Sequence, residues 1–210
     1  MQERLTDANS WVVNISRIIA ILFALFHLYT AATIPLAAVI QRSIHLGFAG
    51  ILVFLLFPFR TRSGGTLLIL DICLSIIALT SSFYVAKNYN DIAFRAGTVT
   101  IFDIIFGILM VIIVLEGTRR VLGPAMPVIA LIFLMYARFG YLLPGQLGHK
   151  GYDIERIINT MYLSTEGIWG TPLGVSATYV AVFVIFGVIL QKIGGGEFYI
   201  SASHCLIRAR

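Results

Sequence analysis

Six apolar runs, each close to the length that crosses a bilayer, leave this chain few ways to fold. A helix needs roughly 20 mostly apolar residues to traverse about 30 Å of hydrocarbon. The runs at 18–40, 44–59, 66–85, 100–115, 126–143 and 173–190 meet or approach that length. The second is short and borrows residues from its flanks. Charge is scarce: 12% of the 210 residues are Asp, Glu, Lys or Arg, and 59% are hydrophobic. Soluble domains carry about 25% charged residues, so this chain cannot cover a water-facing surface and lipid must be its solvent. In lipid the backbone must satisfy its own polar groups, which a helix does within one segment. The expectation is an all-α polytopic membrane protein with about six transmembrane helices.

A seventh segment differs in kind. Residues 152–163 place Ile154, Ile157, Ile158, Met161 and Tyr162 on one helical stripe, with Asp153, Glu155, Arg156 and Asn159 elsewhere. Asp153 suits the N-cap and Glu155 the first turn. Too short to span, this stretch is expected to lie along the interface as an amphipathic helix. The preceding Pro-Gly-Gln-Leu-Gly-His-Lys-Gly is turn chemistry.

The net charge of +5 comes from basic residues scattered in ones and twos, as topology-setting loop charges are, so nucleic acid is not an expected partner. Cys73 and Cys205 show no disulfide or zinc spacing. The N-terminal residues mix Glu3, Arg4, Asp7 and Arg17 ahead of an apolar run too long for a signal peptide, which is expected to stay as the first span. With the N-terminus inside, Arg4, Arg17, Arg60, Arg62, Arg119, Arg120, Lys192, Arg208 and Arg210 fall on the cytoplasmic side. Arg42, Lys87, Arg95, Arg138, Lys150 and Arg156 fall on the other. The bias favours both termini in the cytoplasm.

Ionisable residues within spans are functional candidates by default, because an Asp at a helix centre costs roughly 2.5–3.5 kcal/mol on insertion scales. Asp71 and Asp103 are such residues, but each lies near a helix start, after Thr66 and Thr100. A structural or helix-start role is favoured over an ion pathway, and the two approach opposite faces. Glu116 lies three residues before Arg119 and four before Arg120, so both pairs can meet on one helical face. A topology anchor is favoured there over a hinge. His27 is expected to hydrogen-bond to a neighbouring helix rather than to bind metal, and His45, His149 and His204 form no ligand pattern with it. No catalytic, cofactor-binding or metal-ligating residue is assigned, no cofactor is expected, and the substrate-binding residues are unknown. A membrane enzyme would need dispersed groups such as Asp103 and His149 to share one outer pocket.

Gly167, Gly170, Pro172 and Gly174 interrupt the entrance to the last span. Glycine costs about 1 kcal/mol against alanine inside a helix and proline removes a donor. Two readings stand open. One is a broken helix beside a transport site. The other is a loop feeding a helix, with Pro172 in its first turn and Gly170 and Gly174 permitting close contact.

The stretches QRSIHLGFAGILVFLLFP, LEGTRRVLGPAMP, YARFGYLLPGQLGHKGY and STEGIWGTPLGVSATYVAVFVIFG occur in that order. Together they resemble the fused permease of tripartite ATP-independent periplasmic (TRAP) transporters, the type served by a TAXI-class receptor, over about residues 18–200. The resemblance implies a small four-helix subunit joined to a large transport subunit of roughly twelve helices. It implies a periplasmic solute receptor, an organic, carboxylate-like solute and a cation gradient, and hence the bacterial or archaeal inner membrane. On that pattern residues 1–122 match the small four-helix domain. Residues 123–163 match the joining span and interfacial helix, and residues 164–210 the start of the large domain, truncated. The family's solute and cation sites lie in hairpins beyond this point, so the chain is expected to be an N-terminal fragment without them. The alternative is a stand-alone scaffold or assembly subunit that pairs with a separate large permease subunit. A reporter fused after Lys192 is expected to read cytoplasmic, and a periplasmic signal there would mean that one span is misassigned.

Overall fold

The computed structural model describes residues 10–33, 36–59, 65–95, 97–196 and 198. Arg60, Arg62, His204, Cys205 and the terminal arginines of the sequence reading lie outside the described residues. Six helices are long and apolar enough to cross a membrane. The long helices are α1 (Ser10–Ala32), α2 (Ala38–Leu56), α3 (Gly65–Lys87), α5 (Ile101–Leu122), α6 (Ala125–Phe139) and α8 (Thr171–Lys192). Two short ones are α4 (Tyr89–Phe94) and α7 (Ile154–Ile158), the latter running into a π-helical turn at Asn159–Leu163. No strand occurs among the described residues. The chain is an all-helical, polytopic membrane fold.

The third, fifth and sixth spans agree with the sequence, and the first, second and fourth do not. The apolar run 18–40 is not one helix: α1 ends at Ala32 and α2 begins at Ala38. The sequence between them contains Pro35, and a proline both lacks a donor and pushes its predecessor out of helical geometry. The residues so freed supply the missing turns of the short second span. The fourth helix continues past Leu115 to Leu122 because Glu116, Arg119 and Arg120 pair along it rather than ending it. Gly123, at φ +90°, then stops it with Pro124 immediately following.

Hydrophobic burial gives helices no reason to associate in lipid, so close packing and hydrogen bonds must do it. The α2–α3 contact shows the first. A Cβ on Gly50 would lie 2.8 Å from the Ala78 methyl, and one on Gly47 would lie 3.2 Å from the Ser82 Cβ. The two backbones therefore run antiparallel at close range. Hydroxyls in the spans turn back on their own helix, as Ser75 does to the Asp71 carbonyl at 2.8 Å and Thr118 to the Val114 carbonyl at 2.7 Å.

Two ionic knots bracket the bundle. At one end Asp103 is completely buried and accepts from Tyr84 Oη (2.7 Å), Arg95 Nη1 (3.0 Å), Thr100 N (2.8 Å) and Thr100 Oγ1 (2.7 Å). With Thr100 Oγ1 accepting from Asp103 N, this is a capping box at the start of α5. At the other end Arg120 Nη1 donates to Asp71 Oδ1 at 2.6 Å and Arg120 Nε to Glu116 Oε1 at 2.7 Å. The guanidinium also stacks over Phe54, 4.9 Å from its centroid. Asp103 thus has the helix-start role read from the sequence. Asp71 is structural too, but through an ion pair with α5 rather than at a helix start.

Asp71→Asn should strand part of a buried guanidinium and destabilise the protein by about 3 kcal/mol. The double variant Asp71→Leu, Arg120→Met should recover most of that loss in thermal unfolding measured in detergent. A double variant no better than the single one would mean that the pair is needed for more than mutual compensation.

Candidate functional site

The segment from α7 to the first turns of α8 is bound to the bundle of α1, α2, α3 and α5 along a polar seam. α7 does not float at the surface. Ile158 is buried, and Tyr162, from the π-helical turn, is completely buried. Both meet α5 at Gly107, where a Cβ would collide with the Ile158 side chain. Tyr162 Oη donates to the Ser81 carbonyl of α3 at 2.6 Å. Burial pushes the Tyr162 phenol far above its usual range, which keeps it a donor. Asp153 occupies the N-cap position of α7, as the sequence suggests, but its side chain makes no capping hydrogen bond.

The chain then folds tightly back. Ile168 N donates to the Met161 carbonyl at 2.8 Å, and the indole of the completely buried Trp169 donates to the Tyr162 carbonyl. Gly167 stands where a side chain would strike the Met161 backbone. Arg42 of α2 in turn donates to the Trp169 carbonyl. Tyr162, Trp169 and Arg42 therefore form one connected lock between α2, α3 and the returning loop.

α8 begins at Thr171 with Pro172 in its first turn, so the glycine-rich stretch is a loop feeding a helix at this place. Gly174 faces Arg42 so closely that a Cβ would sit 2.6 Å from its guanidinium. Immediately beyond, residues Ser176–Val180 form a π-helical turn, of the sort that frees carbonyls and gathers at functional sites. Gln41 Nε2 donates to the Ala177 carbonyl at 3.0 Å. His45 Nε2 lies 3.2 Å from Ser176 Oγ, and His45 Nδ1 lies 2.9 Å from His27 Nε2. The imidazoles thus link α1, α2 and α8 in one chain of hydrogen bonds.

His27 has the interhelical bond expected of it. Spacing points to Tyr162 as part of the helical stripe, but it gives no signal for His45, Gln41, Arg42 or Trp169. Asp103 and His149 have separate partners. His149 bonds to the Tyr136 carbonyl at 3.1 Å and accepts from Gly151 N at 3.0 Å. No group of three or more His, Cys, Asp or Glu residues suited to a metal ion occurs among the described residues. What the seam can do is hold a helix at a fixed height and rotation against a scaffold.

In a Trp11→Phe background, Trp169 reports on this lock. Gly174→Val should displace the Arg42 guanidinium, remove a bond worth about 1.5–3 kcal/mol to a charged donor and raise acrylamide quenching of Trp169. Gly187→Ala, at an open position of the same helix, should leave quenching unchanged.

Residues 109–207 match the family described as Tripartite ATP-independent periplasmic transporter, DctM component. No curated protein and no solved structure matches the chain. The matched stretch begins inside α5 and takes in α6, α7 and α8, so it contains one whole side of the seam. The chain is accordingly a multi-pass membrane protein whose residues 109–207 are similar to the DctM component of TRAP transporters.

Proposed function

We propose that this chain is a membrane component of a TRAP-type secondary transporter for organic, carboxylate-like solutes. In this reading residues 1–122 are a small-subunit-like scaffold and residues 123–163 the joining span with its docking helix. Residues from 164 onward open the transport domain. A TAXI-class receptor delivers the solute on the periplasmic side and a cation gradient drives uptake across the inner membrane, with both termini cytoplasmic. The observation that carries the reading is the DctM match over residues 109–207, joined to a seam in which that segment is bonded to α2 and α3.

The scaffold role follows from the chemistry of the seam. Most of its bonds join side chains to one another or to backbone carbonyls, which suits positioning. The solute and cation sites are assigned to helical hairpins of a further part of the transporter, in the same polypeptide or in a separate subunit. Proteoliposomes holding only these 210 residues, with receptor and a sodium gradient, should show no solute uptake. Adding the hairpin-bearing part should restore uptake and co-purify with the chain. Uptake by these residues alone would overturn the scaffold reading.

A further inference from the structure

The seam occupies one side of the 154–170 segment; the other side borders a void. α6 leaves α5 at the Gly123-Pro124 turn, and Pro127, near its start, is its one buried residue. Above that point α6 stands off from the bundle. A cavity of about 560 Å³ opens between α5, α6 and α7. Its walls follow helical stripes: Val111, Val114 and Leu115 on α5, and Ala130, Leu134 and Ala137 on α6. Two small residues seven apart keep α6 from filling the gap. The stripe from Ala130 to Ala137 is about 10 Å long at 1.5 Å per residue, so the cavity is a slot running along the helices.

Water is a poor occupant of such a slot. Apolar cavities stay dry because a water molecule needs two to four polar partners, and an empty slot would forfeit the contacts of every atom lining it. Hydrocarbon from the surrounding bilayer meets neither objection. At the α7 end the lining changes character. Arg156 lines the cavity, is exposed, and lies over the Tyr152 ring at 5.2 Å from its centroid. No acidic side chain pairs with it among the described residues. An apolar slot with one uncompensated guanidinium at its rim matches the two parts of a phospholipid.

We propose that this cavity is a phospholipid site, with one acyl chain in the slot and the headgroup phosphate on Arg156. The site lies between the joining span α6 and the bundle, so an occupied slot props α6 at its observed distance and packs the outer side of α7.

The test is native mass spectrometry of the purified 210-residue chain in mild detergent with added palmitoyl-oleoyl phosphatidylglycerol. The wild type should retain one lipid. Arg156→Ala should lower retention about fivefold, the worth of one basic side chain at an anionic headgroup, and Arg156→Lys should restore most of it. Ala137→Phe should abolish retention by filling the slot, and Lys150→Ala should leave it unchanged. Equal retention by wild type, Arg156→Ala and Ala137→Phe would overturn the proposal. So would an equal loss with Lys150→Ala, which would mean general surface charge. Full displacement of the lipid by inorganic phosphate would also overturn it, by reducing the site to an anion on an arginine.

Discussion

A guanidinium held between three helices governs the arrangement of this bundle. Arg120 belongs to α5, yet it bonds Asp71 of α3, donates to the Phe57 carbonyl just past α2 and stacks on Phe54 of α2. The Arg120 and Asp71 side chains are each only 3% exposed, so neither has water to fall back on and the contact admits little sliding. Asp103 makes the equivalent demand at the opposite end of the same two helices, through Tyr84 and Arg95. Two fixed points on one pair of antiparallel helices set both height and rotation. Gly107 and the Ser81 carbonyl are thereby brought to face the docking segment, and the places of Tyr162 and Trp169 follow from that.

The six spans were legible because lipid imposes a length and a polarity that composition alone reveals. The Glu116–Arg119 and Glu116–Arg120 pairs were legible for a related reason, since i, i+3 and i, i+4 spacing puts them on one face. Asp71–Arg120 was not, because its partners are 49 positions apart and nothing in either neighbourhood names the other. The break between α1 and α2 was missed because the run on both sides of Pro35 is mostly apolar and carries no charge, so hydropathy outweighed the proline. The π-helical turn at Ser176–Val180 had no local signal at all. It accompanies a bond from Gln41 to the Ala177 carbonyl, a tertiary contact that a period count cannot contain.

The two sides of the α6–α7 region are held by different forces. On the bundle side, side chains reach backbone carbonyls: Tyr162 to Ser81, Gln41 to Ala177 and Arg42 to Trp169. Interhelical hydrogen bonds in membranes average about 0.6 kcal/mol each, so several are needed to fix an element, and several are present. Carbonyl acceptors also fix the backbone itself, which side-chain contacts would leave free to rotate. On the α6 side no such set occurs among the described residues. α6 is tied by its turn at Gly123-Pro124 and by the 140–153 loop, where Tyr152 N donates to the Ala137 carbonyl at 2.9 Å.

A helix tethered at its ends and standing off in the middle can tilt without breaking any bond of the seam. The docking segment is bonded to α2 through the Trp169 carbonyl and to α3 through the Tyr162 hydroxyl. None of the bonds that fix Tyr162, Trp169 and the first turns of α8 involves α6, so the height of α8 against α1 and α2 is set without it. The first turns of α8 stay where His45 and Gln41 hold them, while the outward face of that helix, with Phe183 and Phe186 exposed, is left open to apolar neighbours.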